Sequence, residues 1–193
     1  MPRSDALRNR ARVLQAAEEV LAEQGLAARM DAIAARAGVG VGTVYRHFAT
    51  KEALWQAIVE ARVDVLLAEA ERLRAEADPA TAFFTFFARI VADAAAKKAY
   101  TDGLRDAGID VKDSQAEQVA AMRAAITALL GSAQAAGAVR DDVALPEVLA
   151  LLRGASLAAE TGDFPPIALE VIFAGLRAGS ATTPRGAVRA SRP

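Results

Sequence analysis

The sequence predicts an all-α protein of about nine helices, with a small three-helix unit at the N-terminus and a larger helical body behind it. Three observations predict it. Apolar residues recur at spacings of three and four, and no stretch alternates polar and apolar residues as a strand would. The hydrophobic fraction is 53%, with alanine its largest part, and alanine is the strongest helix former. Prolines fall at the ends of the apolar stripes, where they do not break a helix.

In order along the chain, Val13, Ala17, Val20 and Leu21 mark a first helix that stops at Gln24-Gly25. Ile33, Ala34 and Ala37 mark a short second helix closed by Gly38, and a third runs from near Gly42 to His47. Lys51 to about Glu76 is a long helix with Leu54, Ile58, Val65, Leu66 and Leu73 on its apolar side, broken by Asp78-Pro79. A fifth spans Ala80 to about Ala99, and the polar stretch from Thr101 to Asp113 reads as short and irregular. Ser114 to about Ala136 is amphipathic through Val119, Met122, Ile126, Leu129 and Leu130. A loop from Gly137 to Leu145 leads to Pro146, a residue that the first helical turn tolerates. The last two helices run from Glu147 to about Thr161 and from Ile167 to about Gly179, parted by Gly162-Asp163-Phe164-Pro165-Pro166. Residues 180–193, rich in Gly, Pro, Ser, Thr and Arg, read as a disordered tail.

A chain of 193 residues buries a core without needing disulfides or a structural metal. It has no cysteine, which excludes disulfide frameworks, thiolate zinc sites and cysteine nucleophiles and fits a reducing, cytoplasmic setting. The first twelve residues carry Arg3, Asp5, Arg8, Arg10 and Arg12 without an apolar core, so they read as neither signal peptide nor anchor. No apolar run approaches the roughly 18 residues of a membrane span. The net charge of −1 hides a split: residues 1–51 hold eight basic side chains against five acidic, and the remainder fifteen against nineteen. A basic N-terminal quarter on an acidic body is the asymmetry expected when one end meets phosphate.

The informative stretch is MDAIAARAGVGVGTVYRHFATKEAL, from Met30 to Leu54. Ile33 and Ala34 lie on the inner side of one short helix, Val44 and Phe48 on that of the next. Ala34 is small enough for a steep crossing, Gly38 permits the left-handed backbone that turns the chain, and Val39 plugs the corner. This is helix-turn-helix geometry, with a second helix free to enter a major groove. Gly38, Gly40 and Gly42 also alternate as in a dinucleotide-binding loop. That fingerprint needs a glycine at position 43, where Thr43 stands, and a preceding strand.

The segment IAARAGVGVGTVYRHFATKEAL closely resembles the DNA-binding signature of the TetR family of repressors, in its IA pair, AGV turn, TVY, HF and KEAL opening of the fourth helix. AQAAGAVRDDV, further on, is similar to an actinobacterial-type subgroup. The resemblance implies a dimeric transcriptional repressor with a DNA-binding domain at 1–50 and a ligand-binding and dimerisation domain at 51–179. It would hold a palindromic double-stranded operator and release it to a small, largely apolar effector. An architectural or interaction protein without effector control stays open as the alternative.

The resemblance gives Thr43, Tyr45, His47 and Lys51 contacts to phosphate, and Tyr45 a base contact as well. Thr43 is alternatively a helix cap, Tyr45 a half-buried core residue, and His47 and Lys51 solvated side chains. Arg29 and Arg46 add positive charge to that face. Gly40, Val41 and Gly42 stand where the family usually reads base edges. Glycine offers no donor or acceptor and Val41 only an apolar touch, so readout falls to Val41, Tyr45 and Arg46 and to DNA shape.

In the body, the candidates for a pocket wall are Trp55, Phe83, Phe84, Phe86, Phe87, Tyr100, Met122 and Phe164, with Arg123 or Arg153 facing an anionic group. The same aromatic stripe reads equally as core. Gly154, Ala155, Ala158 and Ala159, then Ala174, Gly175 and Ala178, are small residues at close spacing; the family pairs such helices across a two-fold axis. No cofactor or metal site is expected, because His47 is the single histidine. Asp102, Asp106, Asp110 and Asp113 match neither a calcium loop nor a paired-carboxylate site, and no nucleophile–base pair suggests an enzyme.

Overall fold

The computed structural model describes residues 2–106 and 116–179, excepting the side chains of residues 2–4, 7, 26 and 95–106. Among them run eight α-helices and no strand: α1 (Pro2–Gln24), α2 (Met30–Ala37), α3 (Val41–His47), α4 (Lys51–Glu76), α5 (Pro79–Asp106), α6 (Ala116–Ala135), α7 (Leu145–Thr161) and α8 (Pro166–Leu176). A 3-10 turn over Gly25–Ala27 follows α1. The all-α class is as the sequence predicts.

Two boundaries differ by three residues or more. α5 continues through Thr101 to Asp106, a stretch that reads as irregular from its polar residues. Ala94, Ala95, Ala96, Lys97 and Lys98 lead into it, and such residues lose little freedom in a helix, so nothing halts the helix at residue 101. The rest of that stretch, and the tail 180–193, lie outside the described residues. α8 stops at Leu176, short of Gly179, because Arg177 turns extended and pairs antiparallel with Val139. Arg140 N–H donates to the Leu176 carbonyl (3.0 Å) and Ala178 N–H to the Ala138 carbonyl (3.1 Å), tying the loop after α6 to the chain after α8.

The helices enclose two cores. The first gathers Val13, Ala17 and Val20 of α1, Ile33 and Ala34 of α2, Val44 and Phe48 around α3, and Leu54, Trp55, Ile58 and Val59 of α4. The second gathers Leu66, Ala70 and Leu73 of α4 with Phe83, Phe86, Phe87 and Val91 of α5, Ile126 and Leu129 of α6, Val148 and Leu152 of α7, and Leu176 of α8. α4 therefore belongs to both. Of the six residues 54–59 only Gln56 is not buried, so this part is enclosed nearly all round. From Leu66 the burial narrows to a stripe at i, i+4 and i+7, the pattern of a helix lying on a core.

Charge occupies the changeover between the cores. Arg62 of α4 donates from Nη2 to Asp93 Oδ1 of α5 at 2.6 Å, and Arg89 lies 3.9 Å from the same oxygen. Asp93 is buried, at 7% exposure. Glu18 of α1 faces this pair: burial pushes its carboxyl above the ordinary range, Arg62 pulls it down, and Asp93 pushes it up. α5 also packs on α1 and on the 3-10 turn, so the first core is braced by more than α4 alone.

Removing one partner of a buried ion pair leaves an uncompensated charge, at a cost of about 3–5 kcal/mol. With Arg89 still near Asp93, Arg62→Met is expected to cost about 3 kcal/mol, at the low end of that range. Arg62→Met combined with Asp93→Leu should recover most of the loss. Urea unfolding of the two variants checks both expectations.

Candidate nucleic-acid interface

The turn between α2 and α3 is built around Gly38. Its backbone is left-handed (φ 64°, ψ 38°), a conformation that glycine adopts without strain. Gly38 N–H donates to the Ala35 carbonyl (3.2 Å) and Val39 N–H to the Ala34 carbonyl (3.0 Å), the paired closure that ends many helices. Arg12 reaches across from α1 to donate to the Ala37 carbonyl (2.5 Å), and a Cβ at position 38 would stand 2.8 Å from its Nη2. Arg36 pairs with Glu19 (3.1 Å) and Glu23 (2.8 Å), also linking α2 to α1 and holding the Glu23 carboxyl below its ordinary range. Its charge is thus engaged inside the unit.

α3 is fixed by what it buries. Val44 is fully buried and Phe48, just past the helix, nearly so, an i, i+4 pair that plugs the first core. That orientation turns Val41 (45% exposed) and Tyr45 (50%) outward, with Gly40, Gly42 and Arg46 also exposed and Thr43 and His47 half-buried. The backbone of Gly40, not a side chain, caps the helix: its carbonyl accepts from Thr43 N–H (2.8 Å). Thr43 is therefore not the cap, and Tyr45 is not a core residue.

Thr50 starts α4, its hydroxyl accepting from Ala53 N–H at 3.1 Å, and this sets Lys51 at the first helical position. Lys51 Nζ lies 5.4 Å from the centre of the Trp55 ring, one turn on. Arg29 stands just before α2 and pairs with Asp31 (3.1 Å), whose carboxyl that bond lowers. Val41, Thr43, Tyr45, Arg46 and His47 thus share one short helix, with Lys51 at the start of the next, while Arg29 is engaged by its own neighbour. The sequence reading used Arg10 and Arg12 only as charge. Arg10 packs its guanidinium 5.3 Å from the Phe48 ring centre, beside the end of α3, a placement that no spacing along the chain announces.

This arrangement, a short exposed helix locked through a glycine turn onto two supporting helices, is matched by known proteins. Residues 13–58 match the sequence profile of the bacterial regulatory proteins of the tetR family, and residues 78–178, more than half of the chain, that of the SbtR-like transcriptional regulator C-terminal domain. The chain belongs to the TetR family. It is a DNA-binding transcriptional regulator with a helix-turn-helix.

A TetR regulatory protein from Mycobacterium vanbaalenii is 42% identical, with a TM-score of 0.78 over 92% of this chain and 99% of that one. The TetR regulator SCO0520 from Streptomyces coelicolor is 35% identical, with a TM-score of 0.75 over 88% and 99%. The Staphylococcus aureus regulator SAR0097 is 46% identical over 77 residues, which are 38% of this chain and 40% of that protein. UidR of Escherichia coli is 44% identical over 57 residues, 29% of each. The aligned stretch thus spans less than half the length of these curated relatives.

In the TetR body, the aromatic residues are dispersed. Phe83, Phe86 and Phe87 are buried, and with Ile90, Ile126, Leu129, Val148 and Leu152 they leave about 10 Å³ between them, no more than the ~10–15 Å³ that a single water needs. They form packed core. Trp55 belongs to the first core, beneath Lys51. Phe84 lies against Phe173 (centroids 4.8 Å apart) under Arg177 and lines an open cleft of about 670 Å³. Phe164 lines another, of about 350 Å³, with Val91 and Leu169. Met122 is half-buried against the second core, and Arg123 and Arg153 are exposed. The side chain of Tyr100 lies outside the described residues. Among the described residues, Phe83, Phe86 and Phe87 thus pack in the second core, Trp55 in the first, and Phe84 and Phe164 at two open clefts.

Of the small residues, Gly154, Ala174, Gly175 and Ala178 are exposed, Ala158 and Ala159 half-buried, and Ala155 buried in the second core. Leu157, Ile167 and Val171 on the same two helices are about 60% exposed. Among the described residues, no helix is long and apolar enough to cross a membrane, and no group of three or more His, Asp or Glu side chains is placed to hold a metal ion.

Gly38→Ala is expected to cost about 1–2 kcal/mol for the left-handed backbone alone, and more if Arg12 is displaced. Thermal unfolding should register the loss, and the lost Arg12–Ala37 bond should loosen the turn that positions α3.

Proposed function

We propose that this TetR-family protein is a homodimeric repressor that occupies an inverted-repeat operator in the cytoplasm and leaves it when a small, largely apolar molecule binds its body. The observation that carries the reading is α4, a helix that opens beside the DNA-facing residues and ends deep in the second core. In this reading residues 1–50 carry the DNA contacts and residues 51–179 sense the effector and dimerise. Val41, Thr43, Tyr45, Arg46, His47 and Lys51 meet the operator, the outward positions on α3 and the first of α4. Neither a catalytic step nor a cofactor is part of the proposal.

Three features support the dimer. α7 and α8 make little backbone contact with each other, which argues against a closed hairpin within one chain. Among the described residues, a Cβ at Gly154 or Gly175 would meet nothing within 4 Å, so their small size serves no described neighbour. The exposed Leu157, Ile167 and Val171 supply apolar surface for a second copy. The clefts of about 350 and 670 Å³ fall in the range of small-molecule sites, ~300–1,000 Å³, and are lined largely by apolar groups. A ligand that binds the free and DNA-bound shapes unequally, by about 1–3 kcal/mol, lowers operator affinity roughly 5–150-fold.

Footprinting at stated salt tests the reading. A repressor protects a discrete inverted repeat with half-site centres ~34 Å apart or a multiple of that, whereas an architectural protein protects DNA diffusely. Lys51→Ala is expected to weaken binding to all sequences and to flatten the slope of log affinity against log salt by about 0.9, one counterion's worth. An unchanged slope removes Lys51 from the interface. Gly175→Glu is expected to yield monomers in sedimentation and to abolish operator binding. A monomeric unmodified protein at micromolar concentration contradicts the dimer.

A further inference from the structure

Among the described residues, nothing packs where a side chain would stand at two glycines at the start of α3, and neither has a backbone that only glycine adopts. Gly38, two residues earlier, has both causes: its left-handed backbone and the Arg12 guanidinium where a Cβ would stand. Gly40 has neither. Its φ of −69° and ψ of 145° suit any residue, and a Cβ there would meet nothing within 4 Å. Gly42, in the first turn of α3, also has no positive φ and no atom within 4 Å of a built Cβ. Both positions are exposed.

The choice of glycine also runs against local stability. Gly42 lies in the first turn of α3, where alanine would give up less backbone freedom, and Gly40 occupies the cap position, where Ser, Asn or Asp would add a side-chain acceptor although glycine ranks well above alanine. The two positions flank Val41, and Val41 and Tyr45 are the large apolar and aromatic side chains that α3 turns to solvent. The missing atoms therefore lie on the surface that this DNA-binding protein presents to its ligand. Glycine without an internal cause, on a surface that must lie against another molecule, is what close backbone approach requires.

We propose that Gly40 and Gly42 are recognition positions that act through the absence of a side chain. They let the backbone of the first turn of α3 come within van der Waals contact of the operator, at a distance that a methyl group at either position would prevent. Val41, between them, is thereby pressed against the groove floor, and the operator is selected by groove shape together with the apolar contact of Val41. This rests on the assignment of α3 as the DNA-reading helix.

The test uses the full-length protein and a duplex that the unmodified protein selects from a random pool. Gly40→Ala and Gly42→Ala should each lower affinity for that duplex about tenfold or more, the scale of one lost base-pair contact. The melting temperature of Gly42→Ala should equal or exceed that of the unmodified protein, while Gly40→Ala, which loses a favourable cap residue, should melt slightly lower. Gly131→Ala is the control: Gly131 is an exposed glycine in α6 with nothing within 4 Å of a built Cβ, away from α3, and its replacement should stabilise without changing affinity. Loss confined to the selected duplex assigns the close approach to base edges, and equal loss on unrelated DNA assigns it to phosphate. Full affinity in both alanine variants overturns the proposal. So does a lowered melting temperature in Gly42→Ala, which would show that the fold itself needs that glycine. If the unmodified protein selects no duplex, it is the DNA-reading assignment that fails.

Discussion

The structure depends on one helix having to satisfy two cores at once. α4 spans 26 residues, about 39 Å at 1.5 Å per residue, with no glycine or proline at which it could bend sharply. Leu54 to Val59 sit in the core shared with α1, α2 and α3, and Leu66 to Leu73 in the core shared with α5, α6 and α7. Between them Arg62 stands where neither apolar core reaches, and its ion pair with Asp93 binds the helix to α5 at that point. In the proposed reading, a tilt at one end of α4 is not absorbed along its length, and a change in the body is carried to Lys51 and to α3 beside it.

Packing at the other end is organised to leave one helix face empty. Val44 and Phe48 anchor α3 from within, the glycine turn sets its angle, and Arg12 and Arg36 spend their donors on α2 and α1. These surface ion pairs contribute little stability each. Their effect is to keep the supporting helices in register while Val41, Tyr45 and Arg46 stay exposed. Rigidity behind an exposed face is what a reading helix requires, since contacts to base edges are directional.

The helices were legible in the sequence wherever apolar residues repeat at helical spacing and Gly or Pro closes the stripe. Gly38 announced its turn because one backbone conformation there demands glycine. The end of α8 was not legible: Arg177 pairs with Val139, far away in sequence, and nothing near residue 177 signals a stop. The exposed side of α3 was legible because Val44 and Phe48 fix its inward side. Arg10 was not, because its partner Phe48 belongs to another helix. The phenylalanine cluster was ambiguous for a related reason. Periodicity says that Phe83 and Phe87 share a face, but whether that face meets a chamber or a packed neighbour is decided by Ile126, Leu129 and Val148 on helices that arrive later.

The central claim is that α4 is a stiff strut between two cores and not a tether. Native-state hydrogen exchange of the α4 amides measures this most directly. The account predicts that residues 60–64, around Arg62, are protected as strongly as the amides of Leu54–Val59 and Leu66–Leu73 on either side, opening only with the whole protein. Rapid exchange confined to residues 60–64 would contradict it, because the two cores would then be joined by a hinge through which no tilt is carried.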